Sequence, residues 1–343
     1  MENLSGQFKK YSQIKNFEEL PQVSIIVAVR NEEKYIKKCL DSLVNQNYPK
    51  DKYEIIVVDG MSNDGTRKII LEFQEKYQNL RLWDNPKLIY PSALNIGIKQ
   101  SKGDVIIKVD AHVRVAKDLI SKNVEYLKKT GAVCVGGQIK TIGEGLIGKA
   151  IALVLSSFFG TGGAKFRSNS KYEGYTDTVP FGAYRKKVFD EVGLYDEKRV
   201  RTEDLDLHAR IRKRGEKIFI TPKIKSYYYC RSSLPELIKQ SFSNGYEVIT
   251  ALHAISLRHL IPFCFVAGVI ISLILSPFFF WAKILFVLIF GSYILLNLLL
   301  SLKISFKNGF KYFLILPIIF FLHHFSYGIG SIWRLLTFYK IQK

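Results

Sequence analysis

Apolar residues recur along the first two-thirds of the chain in short unbroken runs, each closed by polar residues. Val23 to Val29 is apolar apart from Ser24, and Tyr53 to Val58 ends on Asp59 and Gly60. Leu80 to Trp83 is shorter, and Val105 to Val109 is broken only by Lys108 before Asp110, Ala111 and His112. Runs of this kind, flanked by turn residues, read as strands buried on both faces. Between them the period changes. Ile36, Leu40 and Leu43 share one face of a helix opened by Asn31, Glu32 and Glu33 and running to about Gln46. Asp64 is placed to cap a second helix, and Pro91 to Gln100 forms a third with its proline near the start. Strands alternating with helices predict an α/β fold with a doubly wound, mostly parallel sheet. Ligands of such sheets collect at the carboxyl edge, where strand order reverses. Asp110 and His112 stand at that edge and, alternating past Ala111, can point the same way.

Further along, a helix is expected near Asp118 to Lys129 and a strand at Ala132 to Thr141. Gly143 to Lys165 is apolar and glycine-rich, with Leu146, Ile147, Ile151, Val154, Leu155, Phe158 and Phe159. It reads as a helix on a membrane or against later spans, or equally as an ordinary buried helix. Lys165 to Lys171 reads as a basic loop, and Thr176 to Arg185 as a return to the sheet. Thr202, Glu203 and Asp204 open a helix that Gly215 closes after Arg214, and Lys217 to Ile220 is a further strand. Ser233 and Glu236 match a capping box. Leu237, Ile238, Phe242, Tyr246 and Ile249 then line one face of a helix assigned to the membrane surface.

Composition adds a membrane region. Leu260 to Ala282, Ile284 to Leu302 and Tyr312 to Trp333 contain no Asp, Glu, Lys or Arg, and each approaches the length of a bilayer-crossing helix. The domains expected are a polar lead-in at 1–21, a catalytic domain at 22–232, an amphipathic interface helix at 233–259, about three hydrophobic helices at 260–335 and a basic tail at 336–343. Met1 to Leu20 is polar and charged, so the N-terminal part is expected to stay cytosolic. Lys303, Lys307 and Lys311 between the second and third segments agree, and the basic tail leaves open whether the last segment crosses. His323 and His324 lie in that last segment, and adjacent positions predict that at most one meets a partner helix or lipid phosphate. The formal net charge is +20, with seven Lys or Arg and no acid from residue 260 onward. Such a balance suits an anionic leaflet and diphosphate substrates. No basic stripe interleaved with aromatics points to nucleic acid. Cys39, Cys134, Cys230 and Cys264 form no C-x-x-C pair and read as free thiols.

Four acidic groups fall at strand ends or helix starts: Glu32, Asp59, Asp110 with His112, and Glu203 with Asp204. On one sheet edge they have a shared use. Asp59 can accept from a base N–H of a nucleotide, Asp110 and His112 can hold a cation that bridges a diphosphate, and one acid of the last pair can act as general base toward a hydroxyl.

The segments Ser24 to Glu32, Val57 to Thr66, Ala93 to Gly97, Val109 to His112 and Thr202 to Asp204 together resemble the family 2, GT-A fold inverting glycosyltransferases. They come in that family's order over about residues 21 to 230. The Asp-Ala-His run, the loop from Gly162 to Arg167 and the membrane tail are similar to the succinoglycan-type, ExoA-like branch. The resemblance implies that Asp59 contacts the base of a nucleotide-sugar and that Ala28, Arg30 and Glu32 line the base and ribose pocket. Asp110 would be the first acid of the metal motif. His112 stands where most members have Asp, which favours Mn²⁺ over Mg²⁺ or else leaves His112 facing the acceptor. Asp204 would be the catalytic base with Glu203 in support, in a single inverting displacement. Lys165 and Arg167 would meet the leaving diphosphate or a lipid phosphate, or remain a solvated loop. Phe181 to Ala183 would lie beside the sugar. The Gln-x-x-Arg-Trp signature of processive synthases is absent, so one sugar per encounter is expected. The implied protein is a multi-pass enzyme of the cell membrane that uses a nucleotide-sugar donor, UDP-linked in expectation, and a polyprenyl-linked acceptor of surface polysaccharide. Direct charging of polyprenyl phosphate is the enzymatic alternative, and a non-catalytic membrane scaffold the alternative of another class.

Overall fold

The computed structural model describes residues 19–168 and 171–341, so almost all of the expected lead-in lies outside the described residues. The chain separates into two compact units, residues 1–139 with 170–227, and residues 140–169 with 228–343.

The first unit is built on a nine-stranded mixed sheet of order β3-β2-β1-β4-β8-β6-β9-β5, with β7 paired to β9. Its strands are β1 (Val23–Val29), β2 (Tyr53–Asp59), β3 (Leu80–Asp84), β4 (Val105–Asp110), β5 (Val113–Val115), β6 (Cys134–Ile142), β7 (Gly174–Tyr175), β8 (Ala183–Arg185) and β9 (Ile218–Tyr229). β3, β2, β1 and β4 run parallel, while β8 is antiparallel to both β4 and β6. All seven residues of β1 are buried, as expected of a central strand covered on both faces. β9 runs twelve residues, well past the Ile220 expected as its end.

Helices α1 (Glu33–Val44), α2 (Thr66–Lys76), α3 (Tyr90–Gln100) and α4 (Leu119–Thr130) connect the strands, followed by α8 (Lys187–Val192) and α9 (Glu203–Lys213). α1 presents Ile36, Cys39, Leu40 and Leu43 to the core, the face its sequence period predicts. α3 lies close on β1 through Gly97, where an added Cβ would stand 2.4 Å from Ile26 Cγ2. α9 begins at Glu203, and Gly215 beyond it has φ +83°, the left-handed backbone that ends helices.

The second unit is helical. α5 (Gly145–Leu155), α6 (Phe158–Thr161) and α7 (Lys165–Ser168) replace the single helix and loop expected there. Ser157 caps α6, and the left-handed Gly162 and Gly163 end it, so one apolar stretch is cut into three. α10 (Leu234–Val248), α11 (Ile261–Leu275), α12 (Phe280–Asn308) and α13 (Leu316–Ile341) follow. Among the described residues, two helices are long and apolar enough to cross a membrane, Leu257–Leu275 and Phe280–Asn308.

α10 packs along α13. Its buried residues are Leu237, Ser241, Gly245 and Val248, so of the large apolar stripe only Leu237, and Ile249 just past the helix, are buried. The reason is backbone proximity. A Cβ at Gly245 would lie 1.9 Å from Tyr327 O, and one at Gly330 would lie 2.1 Å from Phe242 O. Small residues let the two backbones meet. Ser233 caps α10 by accepting from the Glu236 N–H, but its hydroxyl donates to Glu236 Oε2, so only half of the expected capping box forms.

His323 and His324 both reach α6, against the expectation that at most one meets a partner. His323 Nε2 is 2.9 Å from Gly160 O and His324 Nε2 is 2.9 Å from Phe159 O. Their Nδ1 atoms meet Ser241 Oγ and Tyr293 Oη. Successive carbonyls of a short helix diverge as the two imidazoles do, so neighbouring histidines can both be satisfied.

At Gly97, alanine would relieve helix propensity by about 1 kcal/mol but overpack the core by about 1–3 kcal/mol. Gly97→Ala should therefore lower the melting temperature of the detergent-solubilised chain, and by less in an Ile26→Ala background, where the contacting methyl group is gone. A Gly97→Ala variant that melts at or above wild type would contradict the packing described here.

Candidate active site

The register of the parallel strands sets the site. Ala28 pairs with Val58 on one side and Asp110 on the other, and Val29 pairs with Asp59. Asp59 and Asp110 therefore end their strands within one residue of the same level, flanking β1. Strand order reverses at β1, between the β1-β2-β3 run and β4. That is where a ligand crevice forms in open sheets.

The loops after β1 and β2 hold each other. Asp64 accepts from the Glu33 N–H (3.3 Å) and from the Thr66 N–H (3.0 Å). Glu33 Oε2 accepts from the Gly65 N–H (3.1 Å), and Thr66 Oγ1 from the Glu32 N–H (2.8 Å). The first turns of α1 and α2 thus cap one another, and Asp64 serves both. Burial pushes the Asp64 carboxyl up, and its bonds to Thr66 and Glu33 outweigh that and hold it below its ordinary value. Asn31 (φ +53°) and Met61 (φ +54°) take left-handed backbone in these loops. Asn31 Oδ1 accepts from the Asn63 N–H at 3.0 Å, and the Asn31 N–H donates to Ser62 Oγ at 2.9 Å.

Asp59 is wholly buried. It accepts from the Ser62 N–H and hydroxyl (2.5 Å for the latter) and from Arg67 at 3.2 Å. Arg67 also pairs with Asp84 at 2.6 Å. Sequence reasoning missed Arg67, and nothing in its helical surroundings marks it. Ala28 is buried within β1, while Arg30 is exposed and reaches Leu88 O at 3.4 Å. Glu32 Oε1 lies 3.1 Å from His112 Nδ1, so the expected ribose and metal residues are paired. Lys165 and Arg167 belong to the second unit. There Arg167 donates to Thr141 Oγ1 at 2.9 Å and stands 4.9 Å over the Tyr228 ring.

A second polar cluster grows from β4. Lys108 pairs with Ile26 in the register, and Ile26 meets α3, so Lys108 and Asp110 share the face that α3 covers. Tyr90, the first residue of α3, donates its hydroxyl to Asp110 Oδ1. Lys108 Nζ is 2.5 Å from Asp204 Oδ2 and 3.5 Å from Glu203 Oε1. It stands over the rings of Tyr90 and Tyr195 at 5.1 and 5.9 Å. Asn95 fixes Tyr195 by exchanging two 2.9 Å bonds with its backbone. Burial raises the Glu203 carboxyl to about 7, against the pull of the Lys108 charge. Burial draws the Lys108 ammonium down, but the charges of Asp204 and Glu203 more than offset it and keep it protonated. Asp204 Oδ1 and Glu203 Oε2 are buried without a hydrogen-bond partner.

Asp110 and His112 are the groups that would hold a cation. Among the described residues no three His, Cys, Asp or Glu side chains form a ready-made cage. One carboxylate and one imidazole leave most of the coordination sphere to phosphate oxygens and water, the donor set of a cation that arrives with its diphosphate. The residues present fit that role.

Residues 24–193 match the profile described as glycosyl transferase family 2. A Methanococcus voltae protein is 34% identical over 320 residues, covering 89% of this chain and 95% of its own length. It is named dolichyl N-acetyl-alpha-D-glucosaminyl phosphate 3-beta-D-2,3-diacetamido-2,3-dideoxy-beta-D-glucuronosyltransferase. The succinoglycan biosynthesis protein ExoA of Rhizobium meliloti (strain 1021) is 31% identical over 223 residues, covering 64% of this chain and 67% of its own length. Among solved structures, the mannosyltransferase PcManGT of Pyrobaculum calidifontis, in complex with GDP-Man and Mn²⁺, aligns over 96% of this chain and 92% of its own. Its TM-score is 0.60 at 16% identity, a likeness of fold.

Behind the cluster, His208 is fully buried between the Thr178 hydroxyl (2.8 Å) and the Tyr184 hydroxyl (2.9 Å), and burial lowers its pKa to about 4. Its contribution to stability is present above the unfolded value of about 6.5 and is lost as pH falls toward the folded value. Glu203 has the opposite sign: its contribution is present below an unfolded value of about 4.3 and is lost as pH rises through the folded one. Relative to wild type, His208→Gln should therefore gain stability as pH falls and Glu203→Gln as pH rises, measured by thermal melting across pH 4 to 7.5. Parallel profiles for the three proteins would refute these environments.

Proposed function

Because this chain belongs to glycosyl transferase family 2, we infer that it moves a sugar from a nucleotide donor, UDP-linked, to a hydroxyl of a polyprenyl-linked glycan, with inversion at the anomeric carbon. Its sheet is of the GT-A kind. The observation that carries the reading is the pairing of Asp110 and His112 at the sheet edge with a buried acid pair in the same first unit, one oxygen of which is open on Asp204. The Methanococcus voltae relative, named for a dolichyl phosphate-linked acceptor and a β-linked product, supports the lipid-linked acceptor, and a β product suits inversion of an α-linked donor. The two apolar helices support a multi-pass protein of the cell membrane, and Lys303, Lys307 and Lys311 favour a catalytic unit in the cytosol.

In this reading Ala28, Arg30 and Glu32 line the base and ribose. Asp59 meets the base, and to do so it exchanges one of its bonds to Ser62 or Arg67 for the ligand. Asp204 takes the proton from the acceptor hydroxyl as that oxygen attacks the anomeric carbon in line. The nucleoside diphosphate leaves from the opposite side. Glu203, whose carboxyl burial raises above its ordinary value, lies beside the base and shares the Lys108 ammonium with it. A divalent cation held by Asp110 and His112, Mn²⁺ in preference to Mg²⁺ because imidazole is a poor magnesium ligand, would neutralise charge on the departing diphosphate. Lys165 and Arg167, within the second unit, meet the phosphate of the lipid carrier.

The test is nucleotide release by the purified chain in lipid, with a panel of UDP- and GDP-sugars and polyprenyl-linked acceptor extracts. Asp204→Asn should lower turnover by about 10²–10⁴-fold. Full turnover in Asp204→Asn, with polyprenyl phosphate alone as acceptor, would replace this reading with direct charging of the lipid. A chelator should abolish release and Mn²⁺ restore it, and His112→Asp should shift the preference toward Mg²⁺. Release undiminished by the chelator would remove the cation from the scheme.

A further inference from the structure

Lys108 is the one interruption of an otherwise apolar strand, and the scheme above gives it no part. We propose that Lys108 is the positioning residue of the transfer: it holds one oxygen of Asp204 so that the other faces the acceptor hydroxyl, and it joins the setting of the base to that of Asp110. The proposal rests on the reading of Asp204 as the base.

Four segments meet at this ammonium. β4 supplies Lys108, α3 supplies Tyr90, the loop before α9 supplies Tyr195, and α9 supplies Glu203 and Asp204. Each carboxylate is split by the contact into a held oxygen and a buried open one, Asp204 Oδ1 and Glu203 Oε2. Charge balance alone does not call for this arrangement. The Asp204 side chain is 26% exposed and begins a helix, so the helix dipole already supports its charge. Lys108, by contrast, is 5% exposed and depends on the acids. What the lysine adds for Asp204 is direction. Its 2.5 Å contact removes the rotational freedom of a short side chain at a helix mouth. Tyr90 makes the link to Asp110, because its hydroxyl donates to that acid while its ring lies under the Lys108 ammonium. The two acids of the reaction are thus referenced to one strand, two residues apart.

The experiment compares wild type with Lys108→Met, Lys108→Arg and Lys108→Met/Glu203→Gln, the last keeping the charge balance of the cluster. The readouts are melting temperature, UDP binding with Mn²⁺ by calorimetry, kcat and acceptor KM with whichever donor wild type turns over, and a structure of Lys108→Met. Lys108→Met should lose about 10²-fold in kcat while its UDP affinity stays near wild type. The double variant should melt like wild type and remain slow, and Lys108→Arg should recover part of kcat. In the structure of Lys108→Met, the Asp204 carboxylate should leave its place by more than about 0.5 Å, the tolerance of a working site. Wild-type turnover in the double variant would reduce Lys108 to a counter-charge, and an unmoved Asp204 in Lys108→Met would overturn the proposal outright. So would a loss of UDP binding that matches the loss in kcat. If wild type turns over no donor, the glycosyl-transfer reading fails by itself, and the structure of Lys108→Met still decides whether Lys108 sets Asp204.

Discussion

An ammonium buried in a sheet is the constraint around which the first unit is arranged. Removing such a group from water costs several kcal/mol, of order 5, unless charges and dipoles replace the lost hydration. Here the replacements are Asp204, Glu203 and the faces of two tyrosines. Each replacement constrains the element that brings it. α9 must start where its first two residues reach β4. α3 must start with Tyr90 at the level of Asp110, and its close approach through Gly97 keeps it there. The loop that carries Tyr195 is fastened to Asn95 of the same helix. Hydrophobic burial shapes the sheet, while the lysine determines which polar ends converge on it.

The second unit solves a related problem without charge. Its helices contain polar groups that need partners in a low-dielectric setting, and they find them in one another. Asn297 donates to Pro317 O at 3.0 Å, Ser301 bonds Asn297, and Ser331 donates to Gly245 O at 2.8 Å. Close contact through Gly245 and Gly330 and these bonds together define how α10, α12 and α13 pack. The large apolar side chains of α12 are instead mostly exposed, as on a helix whose outer surface is hydrocarbon.

Much of this was legible in the residue pattern, for a physical reason. A strand covered on both faces is apolar throughout, so β1 and β2 stand where unbroken runs place them. The acids at their ends were legible because a carboxylate has little reason to sit beside such a run unless it is used. Other features left weaker traces. β9 continues through Thr221, Pro222 and Lys223, residues that hide an edge-side strand because only alternate positions are buried. The middle of the contact face of α10 is Ser241 and Gly245, which hydropathy scores as nothing. Arg67, Tyr90 and Tyr195 join the site through tertiary contacts between segments remote in the chain, and no local pattern encodes those. Lys108 was the exception, since a cation in the middle of a buried strand announces a partner without saying which.

The paired imidazoles of α13 have a mechanical consequence. Because His323 and His324 grip successive carbonyls of α6, that four-residue helix cannot rotate or slide independently of the long helix that holds it. The glycine turn at Gly162 and Gly163 begins where α6 ends, and it leads directly to Lys165 and Arg167. A change of tilt in α13 is therefore delivered, as through a lever arm, to the two basic residues beyond the turn. The placement of those two cations is thereby tied to the long helix, through a four-residue intermediary.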